Sequence, residues 1–122
     1  MDDEWTIERH LAGKPAGIVE LYHRFIELAE ACGPFTYSVA KTAIVLKGSR
    51  RGYAGVGLGM KSLDGHLDLQ RPVTDDPRIR RSAPYTKKLF VSYFRVVSLD
   101  QLDDGFKSLL DEAHDVGEGG HL

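Results

Sequence analysis

His66 and Asp68 stand two residues apart in a segment, His66-Leu67-Asp68-Leu69-Gln70, that alternates polar and apolar side chains. In a strand this spacing projects imidazole and carboxylate from the same face. Two such groups form an acid–base pair where a pocket surrounds them. Cations are more numerous. Lys47, Arg50 and Arg51 flank a Gly-Ser-Arg-Arg-Gly turn at 48–52, and Arg71, Arg78, Arg80, Arg81, Lys87 and Lys88 crowd one connection that also holds Tyr85. Arginine forks match phosphate and carboxylate geometry, and tyrosine rings stack on flat ligands. The competing expectation is a solvated surface whose cations pair with Asp75, Asp76 or acidic helices.

Other patterns point to less. Gly55-Val56-Gly57-Leu58-Gly59 has the glycine density of a phosphate-cradling loop. Such a loop needs a helix right after it, and here Lys61-Ser62-Leu63-Asp64-Gly65 follows. Close backbone packing or a bulge is the expectation. Asp68-Leu69-Gln70 resembles the acidic strand of metal-dependent nucleases, but Arg71-Pro72 follows and the carboxylate set is incomplete. The five histidines are scattered, without metal-site spacing and without a cysteine pair, so neither a metal nor a cofactor is expected. Cys32 reads as a small core residue.

These residues must be held by elements that the apolar pattern outlines. Residues 4–12 predict a short helix opened by Thr6. After Pro15, the recurrence of Ile18, Leu21, Phe25, Leu28, Ala29 and Cys32 predicts an amphipathic helix ending at Gly33. Residues 35–38 are extended-prone, and 42–47, 53–58, 66–70 and 88–97 read as strands. Pro72, Pro77 and Pro84 interrupt the segment between the last two, leaving room for a short helical turn near 77–81. Ser98 and Gln101 have capping-box spacing and predict the start of a last helix, with Leu99, Leu102, Phe106, Leu109, Leu110 and Ala113 on its buried face.

The strands follow one another without intervening helices. The fold class is therefore α+β: an antiparallel sheet of about four or five strands, with N- and C-terminal helices packed on one face. The 122 residues predict one domain over 1–122, with 1–14 an N-terminal arm or short helix and 118–122 a flexible tail. A single cysteine excludes an internal disulfide, no apolar run approaches a membrane span, and the acidic N-terminal residues are unlike a secretory signal. The expected setting is cytoplasmic.

Period two assigns the sheet faces. Ile44, Leu46, Ala54, Val56, Leu58, Leu67, Leu69, Phe90, Phe94 and Val96 point to the helices. Lys41, Ala43, Val45, Lys47, Tyr53, His66, Asp68, Gln70, Val91, Tyr93, Arg95 and Val97 then point away. Charge follows the same division. Residues 1–30 carry three basic and seven acidic side chains, 31–98 carry twelve and four, and 99–122 carry one and seven. A formal net charge of −2 thus conceals a basic middle between acidic ends.

Trp5, Thr6, Glu8, His10, Leu11, Gly13, Lys14 and Pro15, then Lys41, Thr42, Ile44 and Lys47, then Asp76, Pro77, Arg78 and Ile79, resemble the motifs of a bacterial family, the domain of unknown function numbered 5655. The resemblance runs over most of the chain and is to a short, stand-alone, actinobacterial-type member. Similar domains are labelled predicted transport proteins or are appended to nuclease-like domains. The resemblance implies no catalytic residues.

The expected function is a binding module for an anionic ligand, nucleic acid or a phosphorylated small molecule. Lys41, Lys47, Arg50, Arg51, Tyr53, His66, Asp68, Arg78, Arg81, Tyr93 and Arg95 are its candidate residues. Two alternatives stand beside it. One is a protein-interaction or homodimerisation surface formed by Ala43, Val45, Val91 and Tyr93. The other is an enzyme using His66 and Asp68.

Overall fold

Thr6 accepts the Arg9 N–H through its hydroxyl at 3.2 Å and so opens the first helix, α1 (Ile7–Leu11). A computed structural model describes residues 4–122, so the first three residues of the expected 1–14 arm lie outside the described residues. Pro15 caps α2 (Ala16–Cys32), and Gly33, at φ 140°, ends it. The strands are β1 (Thr36–Val39), β2 (Ile44–Lys47), β3 (Gly52–Leu58), β4 (Leu63–Leu69), β5 (Ile79–Pro84) and β6 (Phe90–Val96). A 3₁₀ turn (Leu99–Gln101) and α3 (Asp104–Gly117) follow.

All strand pairs are antiparallel, in the order β1-β2-β3-β4-β6-β5. The fold is α+β as expected, with six strands in place of four or five. The extra strand is β5, which occupies the proline-broken stretch where a helical turn was expected. An edge strand has one side that needs no ladder partner, so Pro84 is accommodated at its end. The start of the last helix also moves. Gln101 Oε1 accepts the N–H groups of Val97 and Ser98 and closes the 3₁₀ turn. The α-helix begins later, capped by Asp103, which accepts the Phe106 N–H at 3.0 Å.

The apolar stripe of α2 and that of α3 meet the same sheet face. Phe25, Phe94 and Phe106 form a buried triad with ring centroids 5.1–6.1 Å apart. Ile44, Leu46, Ala54, Val56, Leu67, Leu69 and Val96 complete this core from the sheet. Aromatic packing of this kind adds about 0.5–1.5 kcal/mol per pair beyond area burial.

The β2–β3 turn is docked onto the end of α3. Arg50 and Arg51 donate their backbone N–H groups to the Gly117 carbonyl, and Glu118 accepts from both the N–H and the hydroxyl of Ser49. The turn thus satisfies one of the carbonyls that a helix C-terminus leaves open. Residues 118–122, expected as a flexible tail, continue in hydrogen-bonded turns from Gly120 to Asp115 and from Leu122 to Gly119. Among the described residues no helix is long and apolar enough to cross a membrane.

Candidate functional site

The face of the sheet opposite α2 and α3 is organised by strand register. One row runs Val45, Gly55, His66, Tyr93, Arg81 across β2, β3, β4, β6 and β5. A second runs Asp68, Val91, Ala83, and a third Gly57, Asp64, Arg95. The strand period therefore brings His66, Asp68, Tyr93, Arg81 and Arg95 together from three strands.

His66 lies over Gly55, where a Cβ would come within 2.5 Å of the imidazole. The glycine, read as a packing device, makes room for the ring. Asp68 is only 6% exposed. Arg51 reaches over from the β2–β3 turn and donates to its Oδ2 at 2.5 Å, while the Arg51 Nε donates to the Gly52 carbonyl. Arg51 also sits 5.8 Å from the Tyr85 ring. Arg81 lies over Tyr93 at 5.1 Å, and Tyr93 is 41% exposed. Among the described residues Arg81 has no ion-pair partner, whereas Arg95 donates to Asp64 at 2.7 Å.

Burial sets the protonation of the central pair. It pushes the His66 imidazole down, against the opposing pull of Asp68. It pushes the Asp68 carboxyl up, and His66 and Arg51 partly offset this. His66 is thereby held neutral near pH 7 and presents one N–H donor and one acceptor. No hydrogen bond joins His66 to Asp68 among the described residues.

The other candidates go elsewhere. Tyr53 does not reach the open face, contrary to the expected alternation. The register slips between Leu46 and Lys47, so Lys47 pairs with Gly52 and Leu46 with Ala54, leaving Tyr53 as the extra residue of a bulge. Its ring turns to the helix side and packs edge-on against His114, over Gly117, where a Cβ would lie 2.5 Å from the tyrosine Cδ1. Burial raises its phenol well above the ordinary value.

Arg78 is likewise on the helix side. It donates to both oxygens of Asp76 at 2.9 and 2.7 Å, and to Asp103 and the Gln101 carbonyl at 2.6 Å each. Hydrogen bonding to Asp76 dominates the upward shift of its guanidinium, and the same bonds hold the Asp76 and Asp103 carboxyls below the usual range. Lys47 lines a small cavity with Ser49 and Glu118, and Arg50 extends beside Gly119. Lys41 sits in the β1–β2 turn with Trp5 and Arg9. Cys32 is half-buried, donates to the Leu28 carbonyl at 3.3 Å, and has its thiol pushed up to about 12, chiefly by burial. Among the described residues no three His, Cys, Asp or Glu side chains converge as a metal centre requires.

Sequence reasoning passed over Trp5, Arg9 and Lys14, which gather around Lys41. Trp5 and Lys14 stand in the motifs that carried the family resemblance, whereas Arg9 does not.

Six antiparallel strands with two long helices on one side and a polar, aromatic-bearing surface on the other define a two-layer α+β domain with an open sheet face. The chain belongs to the family described as Domain of unknown function (DUF5655), which matches residues 7–117. No curated protein and no solved structure matches it.

Proposed function

We propose that the chain is a binding module, without catalysis of its own, for a phosphate-bearing ligand that lies on the open sheet face. The observation that carries this reading is the Tyr93–Arg81 pair beside His66. It joins an exposed ring, a guanidinium without an ion-pair partner among the described residues, and a neutral imidazole in one cross-strand row. The ring accepts a flat group, Arg81 takes an oxyanion, and His66 supplies a neutral hydrogen bond between them. Arg51, anchored on Asp68, borders the row with Tyr85. The single cysteine suits work in the reducing cytoplasm of a bacterial cell.

The test is fluorescence polarisation with a labelled single-stranded oligodeoxynucleotide, with adenosine monophosphate as competitor, at rising salt. Binding is expected to weaken with salt and to fall about tenfold in Arg81→Ala/Tyr93→Ala. Competition by the mononucleotide at comparable affinity identifies a small-molecule site, and its failure identifies an oligonucleotide site. Absence of binding by both, or binding that the variant leaves unchanged, removes the reading.

A second reading, homodimerisation, is favoured by the half-buried Val45 and Val91 on the same face. Solution mass over a concentration series decides it, because a monomer throughout argues against self-association.

A further inference from the structure

A second basic surface lies at the end of the sheet, away from the Tyr93–Arg81 row. Trp5, Arg9, His10 and Lys14 form one wall of a cavity of about 360 Å³, and Lys41 lies opposite, in the β1–β2 turn. Thr42 and residues 57–59 with Asp64 complete the lining. An adjoining cavity of about 760 Å³ shares Trp5, Arg9 and Lys41 and is bordered by Glu4. Both volumes suit a small ligand.

The walls are built rather than incidental. His10 is buried, and its Nε2 donates to the Ala40 carbonyl at 2.7 Å, fastening α1 to the β1–β2 turn. Trp5 packs at 5.1 Å on the His10 ring and carries the Arg9 guanidinium at 4.0 Å over its own. Arg9 is further fixed by donating to the Glu4 carbonyl at 2.9 Å. Segments about 30 residues apart in sequence thus aim three cations at one space.

Charge and shape then name the ligand class. Among the described residues, Arg9, Lys14 and Lys41 have no ion-pair partner. Asp64 is already committed to Arg95 at 2.7 Å and to the Ser62 hydroxyl at 3.1 Å. Among the described residues, Glu4, at the border of the larger cavity, is then the lining carboxylate without an ion-pair partner, against three cations. Trp5 is occupied by Arg9 and His10, so it does not offer a free platform for stacking a base. An arginine fork and two ammonium groups without an aromatic platform suit a compact, multiply charged oxyanion. We infer that this groove, which meets the open sheet face at its Gly57–Asp64 row, is a phosphate-class site, filled by a phosphoryl or pyrophosphoryl group and separate from the Tyr93–Arg81 row.

Trp5 is the single tryptophan of the chain and lines the groove, so it reports on it directly. The experiment is titration with sodium pyrophosphate at constant ionic strength, read both by tryptophan fluorescence and by calorimetric heat. Saturable binding is expected in the wild type. Lys14→Gln/Lys41→Gln is expected to weaken it at least about tenfold, as loss of charge-assisted hydrogen bonds requires. Lys87→Gln/Lys88→Gln removes the same charge from a distant turn and is expected to leave affinity unchanged. Circular dichroism checks that each variant is folded. The inference is overturned by the absence of saturable heat, by an equal response to chloride at matched ionic strength, or by equal weakening in the two double variants. Unchanged pyrophosphate affinity in Lys14→Gln/Lys41→Gln overturns it as well.

Discussion

The two faces of this sheet treat arginine in opposite ways. On the helix side, Arg78 is 14% exposed and its donors are shared among Asp76, Asp103 and a backbone carbonyl. On the open side, Arg51 has one carboxylate partner, and Arg81 rests on Tyr93 without any among the described residues. The helix-side arginine ties the start of β5 to the cap of α3, because Asp103 both receives Arg78 and caps the helix. The open-side arginines have hydrogen-bonding capacity left over. A cation's role is thus set by how many acceptors the fold brings to it, and net charge does not record that number.

The sharpest way to break this comparison is to truncate one aromatic on each face. Phe106→Ala removes the centre of the buried triad and should cost about 3–5 kcal/mol in urea unfolding, through lost burial and a residual cavity. Tyr93→Ala should cost about 0.5–1 kcal/mol, since its ring is exposed and packs mainly under Arg81. Equal costs would mean that the Tyr93 face is a second core.

A smaller effect separates the arginines themselves. Arg78→Ala should destabilise by about 2 kcal/mol, because it strands acceptors that its charged hydrogen bonds had satisfied. Arg81→Ala should change stability by less than about 0.5 kcal/mol. The difference should depend on pH. Asp76 and Asp103 are held below their unfolded values, so their contribution is complete above roughly pH 4 and is lost as pH falls through the folded values. Wild type should lose stability in that acidic window, and Arg78→Ala should lose less. Parallel pH profiles for the two proteins would show that Arg78 does not hold these carboxyls.

Local pattern made much of this legible. The apolar steps of α2 and the alternation of β4 and β6 decide which side chains meet the helices, and hence that His66, Asp68, Tyr93 and Arg95 share a face. What was hidden depends on partners distant in sequence. Arg78 is read as a ligand-binding cation until Asp103 and Gln101, more than twenty residues on, are seen to enclose it. Tyr53 obeys alternation until a bulge adds a residue to its strand. β5 hides behind prolines that only an edge position tolerates. The groove at Trp5 needed the placement of α1 beside the β1–β2 turn, which no periodicity encodes.

The smallest expected effect is the most direct probe of the open face's centre. Burial lowers His66 and the Asp68 charge raises it, so the two act against each other. In proton-observed NMR titration, His66 should therefore titrate below the ordinary value of about 6.5. Asp68→Asn removes the opposing charge and leaves Arg51 nearby without its carboxylate partner, so the midpoint should move lower still. Stability follows with a definite sign. A histidine lowered on folding contributes fully above its unfolded value and less as pH drops below it. A carboxyl raised on folding, as Asp68 is, favours the folded state at low pH and loses that contribution as pH rises through its folded value. Wild type mixes the two slopes, whereas Asp68→Asn should keep the histidine's decline below about pH 6.5 without the opposing carboxyl slope, down to the acidic window of Asp76 and Asp103. A midpoint that starts above the ordinary value would mean that the Asp68 charge outweighs burial and favours the protonated imidazole. The neutral donor assigned to it beside Tyr93 and Arg81 would then be lost.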